Sequence, residues 1–324
     1  GCSLIDTKLS RRGTNPFADF KLLVRNFRLM NRIKPDIVLT YTIKPNIYGG
    51  IVCRLKNVFH IANITGLGTA VEDRGLLQKI TLSLYKTALK KSNCIFFQNQ
   101  ENMDFMNSYG IGKGNSRLIP GSGVNLTYFK LLDYPKSDNI NFLFIGRVMK
   151  EKGIEQYLDT AIYIKKKYPN TIFHVVGRCE ESYISELNKM QENGIIRYHG
   201  FQDNIIEYYK ISHCIIHPTY YPEGMSNVLL ESAACGRPII TTDRSGCREI
   251  VDDSINGFLV KQQNSRDLID KVEKFLNLDY EDKRKMGLAG RAKVELEFDR
   301  QIVIDAYLEE IDRLMGVPNE VDLK

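Results

Sequence analysis

Two glutamates eight residues apart, Glu223 and Glu231, and two cations five apart, Arg147 and Lys152, are the side chains whose types and spacing can do chemistry. An ionised carboxylate accepts hydrogen bonds from hydroxyl groups. A guanidinium offers phosphate a planar fork, and an ammonium offers it a compact charge. Together they could hold a sugar joined to a diphosphate and stabilise that phosphate as it leaves. Taken singly, each pair reads as ordinary surface: a loop Glu and a helix Glu, and a solvated Met149-Lys-Glu-Lys-Gly153 loop. The elements that carry them decide.

Around the glutamates, Cys214 to Ile216 reads as a buried strand. Pro218 and Pro222 punctuate a loop, and Val228, Leu229 and Leu230 open a helix with Ser226 as its N-cap. Gly236-Arg-Pro ends that helix. The helix start supplies backbone N–H groups and a positive dipole end, which suit a phosphate. Were Glu223 also helical, Glu231 would stand about 80° round the helix and about 12 Å along it. Arg147 and Lys152 follow a strand from Asn141 to Ile145 that ends at Gly146. In doubly wound sheets ligands gather at such carboxyl ends. Gly177-Arg178, His199-Gly200-Phe201 and Ser245-Gly246 fall at further strand ends and could line the same cleft. In the first half, Thr65-Gly66-Leu67-Gly68 follows a strand from Phe59 to Ile64, where the glycines would let backbone approach a substrate. His217 and His199 could serve as a base or a phosphate donor, although a His at a buried strand end is more often structural. Neither His-Glu-x-x-His, a Walker A loop nor an Asp-x-Asp pattern occurs, so the sequence calls for no metal.

The 324 residues suffice for two domains, and strand and helix patterns alternate through both, which argues parallel sheets. Ser3 to Asp6 is a weak strand, followed by the basic stretch Lys8 to Arg12. A helix over residues 19–33 carries apolar Phe20, Leu23, Phe27 and Met30. Leu76 to Lys91 is a second, basic helix, expected to pack Leu76, Ile80, Leu84 and Ala88 on a sheet. The polar, turn-rich residues 131–139 make the best boundary. The division is therefore 1–135, 136–300 and a C-terminal helix, 301–324, returning to the first domain.

Net charge is +6, unevenly spread. Residues 1–135 hold 19 Lys and Arg against 8 Asp and Glu, or +11; the remainder holds 26 against 31, or −5. The basic half should approach something anionic: a membrane surface, a phosphate-bearing substrate or nucleic acid. Nucleic acid is the weakest of these, because aromatic and basic residues are not interleaved. Seven Cys with no C-x-x-C pair read as reduced thiols of a cytosolic protein. No apolar run approaches the ~20 residues that span a bilayer.

Residues 118–259 resemble retaining glycosyltransferases of family 4, which have the GT-B fold. The resemblance rests on segments in one order: Leu118-Ile-Pro-Gly-Ser-Gly-Val-Asn-Leu-Thr-Tyr-Phe129, Phe144-Ile-Gly-Arg-Val148, Glu151-Lys-Gly153, Arg197-Tyr-His-Gly-Phe201, Pro222-Glu-Gly224 through Glu231, and Ala234-Cys-Gly-Arg-Pro238. Leu39-Thr-Tyr-Thr-Ile-Lys-Pro-Asn46 and Asn63-Ile-Thr-Gly-Leu-Gly68 look like bacterial members that build capsule, O-antigen and other surface glycans. The resemblance implies two Rossmann-like, doubly wound α/β domains facing a cleft. The family opens with a strand and a Gly-rich loop that this sequence does not show, so the first domain is expected to be incomplete at its N-terminus.

The resemblance also implies roles. Arg147 and Lys152 would bind the donor diphosphate, Glu223 the transferred sugar and Glu231 the ribose, with Gly146 and Gly177 also in the donor site. Backbone amides of Gly224, Met225, Ser226 and Asn227 would hold phosphate and sugar. Thr65, Gly66 and Gly68 would lie on the acceptor side. The donor would be a UDP-sugar, the transferred group a hexose or N-acetylhexosamine, and the acceptor a glycan or lipid-diphosphate-linked saccharide. Configuration would be retained and neither cofactor nor metal required. The setting would be cytoplasmic, at the inner face of the membrane. Two alternatives stay open: a UDP-sugar 2-epimerase of similar architecture, and an inactive nucleotide-sugar-binding fragment.

Overall fold

The computed structural model describes residues 2–6, 15–72 and 75–317. The chain forms two compact units, Gly1–Leu118 with Tyr307–Lys324, and Ile119–Ala306. The division thus falls at 118/119, ahead of the turn-rich 131–139. Chain composition marked the polar stretch, but apolar anchors decide where a segment packs. Val124, Phe129 and Leu132 join the apolar clusters of the second unit, so residues 119–135 go with it.

The first unit is a four-stranded parallel sheet in the order β1-β2-β3-β4: Ile37–Tyr41, Phe59–Ile64, Cys94–Phe97 and Ser116–Leu118. Helix α1 (Pro16–Ile33) precedes β1, with its Asn15 side chain accepting from the amides of Phe17 and Ala18. A π-helical turn (Pro45–Gly49) and α2 (Gly50–Lys56) link β1 to β2. The short α3 (Thr69–Glu72) and α4 (Leu76–Leu89) link β2 to β3, and α5 (Gln100–Ser108) links β3 to β4. All four residues of β3 are buried, as expected of a parallel strand covered on both faces. Ser3 to Asp6 forms no strand, and Lys8 to Arg12 lies outside the described residues.

Helix α4 presents a different face from the expected one. Leu82, Tyr85, Ala88 and Leu89 point into the core, whereas Leu76 is 75% and Ile80 49% exposed. Ala88 and the partly buried Leu84 meet the expectation, and Leu76 and Ile80 do not. Tyr85 explains the rotation: an aromatic ring buries more apolar surface than either aliphatic side chain.

The second unit is a six-stranded parallel sheet ordered β10-β9-β8-β5-β6-β7: Gly257–Val260, Ile239–Thr242, Cys214–His217, Ile140–Ile145, Thr171–Val176 and Ile196–Tyr198. The chain winds outward from β5 through α6 (Ile154–Lys167), β6 and α7 (Glu181–Glu192) to β7. It returns through α8 (Ile206–Ile211) to place β8 on the other side of β5, then continues through α9 (Asn227–Ala234) to β9 and β10. The order therefore reverses between β5 and β8. Helices α10 (Ser265–Leu276), α11 (Tyr280–Glu297) and α12 (Arg300–Met315) follow, and from Tyr307 onward α12 belongs to the first unit. The core gathers Phe142, Phe144, Tyr157, Phe173 and Phe275 in fully buried positions. Helix α7 is absent from the sequence expectation because Leu187 and Met190 are its only buried residues, too few for a visible apolar stripe.

Candidate active site

The carboxyl ends of β5 and β8 meet where the strand order reverses, the place where doubly wound sheets bind ligands. After β5, Gly146 and Arg147 lead to a 3₁₀ turn, Lys150–Lys152. After β8, the loop from Pro218 carries Glu223 and Gly224 to the start of α9. These two segments bring the predicted residues together.

Lys152 and Glu223 form an ion pair, with both side chains largely buried. The Tyr221 ring lies beside them: the Lys152 Nζ is 5.3 Å and the Arg147 guanidinium carbon 5.5 Å from its centroid. Burial pushes the Lys152 ammonium down to about 8, and repulsion from Arg147 acts in the same direction. Two cations on a common aromatic floor, one of them paired with a carboxylate, leave a net positive charge for an anion. Tyr221 lay within the stretch read from sequence without a role. Its position three residues after Pro218 carried no signal that it would floor both cations.

Glycine is required where these segments touch. Gly153 has φ +75°, and a Cβ there would overlap the Pro218 carbonyl, so this glycine lets the 3₁₀ turn lie against the loop after β8. A Cβ on Gly177 would overlap the carbonyl of Gly146, which places the two predicted glycines back to back at the ends of β5 and β6. Gly177 donates its N–H to the Gly200 carbonyl at 2.8 Å.

Glu223 lies in the loop and Glu231 in the helix, as expected, so the spacing of two helical glutamates does not apply. The segment departs from expectation in two ways. Ser226 occupies the N-cap position of α9, but its side chain caps no amide; its Oγ lies 3.3 Å from His217 Nε2. The Ser226 amide, expected to face phosphate, donates to the Gly246 carbonyl at 2.8 Å. The amides of Met225 and Asn227 have no protein acceptor among the described residues. The exposed Asn227 accepts from Ser122 Oγ at 2.8 Å through its Oδ1.

Glu231 sits in the second turn of α9. Burial pushes its carboxyl up to about 7, opposed by the Tyr209 hydroxyl, which donates to Oε2 at 3.1 Å. His217 is fully buried, and burial holds it neutral, with Lys152 nearby acting in the same direction. His199 lies 2.9 Å from His174 through their ring nitrogens.

One residue missed by sequence reading is Glu249. Its carboxylate accepts from Ser245 Oγ at 2.9 Å and from the Gly246 amide at 2.7 Å. Gly246 in turn accepts from Ser226 and lies so close to the loop that a Cβ on it would stand 2.9 Å from the Gly224 carbonyl. Glu249 thereby fixes the turn that buttresses the Glu223–Ser226 loop.

In the first unit, Thr65, Gly66 and Gly68 follow the carboxyl end of β2. Gly66 has φ +136° and Gly68 +67°. Beneath them, Asn46 Nδ2 donates to the Asn63 carbonyl at 2.9 Å, and Asn63 Nδ2 donates to the Tyr307 hydroxyl at 2.7 Å. This buried amide cluster was visible only as part of two quoted segments. His60 is held at both ring nitrogens, by Thr40 and Ser92 at 2.8 Å each, which makes it a structural residue.

Comparison with known proteins agrees with this fold. The family model described as glycosyl transferases group 1 matches residues 133–293, and the one described as glycosyl transferase 4-like matches residues 1–99. The chain is 26% identical to N,N'-diacetylbacillosaminyl-diphospho-undecaprenol alpha-1,3-N-acetylgalactosaminyltransferase of Campylobacter jejuni, over 97% of this chain and 87% of that protein. It is also 26% identical to the capsular polysaccharide biosynthesis glycosyltransferase CapM of Staphylococcus aureus, over 89% and 79%. Among solved structures it resembles Anabaena HepE in complex with UDP and glucose, with TM-score 0.78 and 16% identity over 94% and 84% of the two chains. Two parallel-sheet α/β units of this GT-B type, with the two family models matched in order, make the chain a member of the family 4 glycosyltransferases.

Proposed function

We propose that this enzyme moves a hexose or N-acetylhexosamine from a UDP-sugar to a lipid-diphosphate-linked saccharide, with retention of configuration, in the synthesis of a bacterial surface polysaccharide. The observation that carries the proposal is the Lys152–Glu223 pair beside Arg147, at the reversal point of the second sheet. Arg147 and Lys152 clamp the donor diphosphate. Glu223 contacts the transferred sugar, the amides of Met225 and Asn227 meet phosphate or sugar oxygens, and Glu231 accepts from the ribose hydroxyls. The acceptor hydroxyl oxygen bonds to the anomeric carbon on the face from which the carbon–phosphate oxygen bond breaks. Its proton passes to the departing phosphate oxygen, and the two cations stabilise the UDP that leaves. Chemistry of this kind needs no cofactor or metal.

The acceptor reading is supported by the Campylobacter jejuni relative, whose name specifies a diphospho-undecaprenol-linked substrate, and the setting by the capsule relative. The donor reading is supported by the fold of a protein solved with UDP and glucose. Thr65, Gly66 and Gly68 lie on the acceptor side. No helix among the described residues is long and apolar enough to cross a membrane. Contact with an anionic leaflet is instead made by outward-facing side chains: Phe17 and Phe20 with Lys21 and Arg28 on α1, and Leu76, Leu77 and Ile80 with Lys79 on α4. The experiment is transfer from a panel of UDP-sugars to diphosphate-linked saccharides, with the anomeric proton of the product read by NMR. An axial donor linkage preserved in the product supports the reading; inversion, or turnover of the UDP-sugar to its 2-epimer without any acceptor, contradicts it.

A further inference from the structure

We propose that the first unit carries a second anion site, at the opposite end of its sheet from Thr65–Gly68, that takes a phosphate-bearing ligand. A hollow of ≈ 520 Å³ is lined by Arg54, Lys86, Lys90 and Lys113, together with backbone from Gly110 to Gly112. Arg54 lies in the last turn of α2, Lys86 in the last turn of α4 and Lys90 at its C-cap. Lys113 lies in the loop that leads into β4. The hollow therefore stands at the amino ends of β3 and β4, whereas Thr65 follows the carboxyl end of β2.

Three observations point to an anion. First, no carboxylate lines the hollow, and none of the four cations has an ion-pair partner among the described residues. Second, the charge exceeds what the helices need. Each helix C-terminus carries about −0.5 of a charge, so two of them offset only one of four cations and leave about +3. Arg54 is the one that serves a helix end directly, donating to the Thr87 carbonyl at 2.9 Å; the side chains of Lys86, Lys90 and Lys113 make no hydrogen bond among the described residues. Third, the Gly-Ile-Gly-Lys-Gly loop offers backbone donors. The amides of Gly112 and Lys113, both lining the hollow, have no protein acceptor among the described residues. Gly112 and Gly114 have φ +86° and +95°, flanking Lys113. Successive amides with handedness alternating in this way form anion-binding concavities.

The ligand is an oxyanion of two or more charges, such as a phosphomonoester or a diphosphate. It can come from a membrane headgroup or from a soluble phosphorylated molecule, and one experiment separates the two. Pyrophosphate is titrated into the full chain with UDP present to occupy Arg147 and Lys152. A Lys152→Ala background serves the same purpose, so failure of the donor reading does not blur the result. Wild type is compared with Lys86→Ala/Lys113→Ala and with a control bearing Lys166→Ala/Lys189→Ala, exposed lysines of the other unit. The expected result is one pyrophosphate site, weakened tenfold or more in the first variant and unchanged in the control. In parallel, sedimentation with phosphatidylglycerol and phosphatidylcholine vesicles names the source. A matching tenfold loss on the anionic vesicles assigns a lipid headgroup, and a loss confined to pyrophosphate assigns a soluble ligand. If the Lys86→Ala/Lys113→Ala variant binds both probes as wild type does, or both variants lose binding equally, the site does not exist.

Discussion

Lys152 and Glu231 have opposite charges and opposite displacements, and together they set a pH window. Lys152, pulled down to about 8, would hold a diphosphate in its charged form, which is present below that value and lost as pH rises through it. Glu231, pushed up to about 7, would accept from ribose hydroxyls as a carboxylate, which is lost as pH falls through that value. UDP affinity measured between pH 6 and 9.5 should therefore peak between about 7 and 8. Lys152→Arg should flatten the alkaline limb because a guanidinium does not titrate there, and Glu231→Gln should flatten the acid limb. Glu223→Gln and Lys152→Ala should each lower the transfer rate about a hundredfold, a barrier increase of about 2.7 kcal/mol. Initial rates with a saturating acceptor check this, and a near-normal rate in either variant removes that residue from the site. These side chains were legible in the sequence because cations after one strand and carboxylates after another recur at strand ends. Tyr221 and Glu249 were not, because a ring under two cations and a carboxylate on a distant turn depend on which loops meet.

At the scale of the element, the site is two loops held against each other by glycine contacts and one carboxylate. Gly153→Ala places a methyl group on the Pro218 carbonyl at φ +75°. It should cost on the order of 2–3 kcal/mol of stability by overpacking and backbone strain, read as a lower midpoint in urea. Glu249→Ala removes both acceptors of the Ser245–Gly246 turn. It should weaken UDP about tenfold, and Glu249→Gln, whose amide group can still accept from Gly246 and pair with Ser245, should restore most of that affinity; equal losses in both variants would make Glu249 something other than a positioning residue. Strand–loop–helix order was readable because buried parallel strands show as continuous apolar runs, such as Cys214–Ile216. The orientation of α4 was not, because period alone could not choose between a stripe through Leu76 and Ile80 and one through Leu82 and Tyr85. The use of the Ser226 amide was equally hidden, since its acceptor, Gly246, is twenty residues away.

For the whole molecule, charge and chemistry are segregated. The proposed donor residues lie in the acidic part of the chain, and the excess of +11 lies in residues 1–135. Attraction of that excess to an anionic leaflet is screened over a Debye length of about 8–10 Å at ordinary salt. Binding to phosphatidylglycerol vesicles should fall steeply with added salt. Phe17→Ser/Phe20→Ser should lower it about tenfold further, less than full burial of two aromatic rings would give, without changing UDP affinity. Vesicle sedimentation at two ionic strengths checks both parts. The central claim, however, concerns the second unit, and calorimetric titration of UDP and UDP-sugars without metal tests it most directly. Micromolar binding of at least one UDP-sugar, weakened a hundredfold in Lys152→Ala and clearly weakened in Glu231→Ala, is the expected outcome. Binding of equal strength in wild type and both variants would place the donor elsewhere and contradict it.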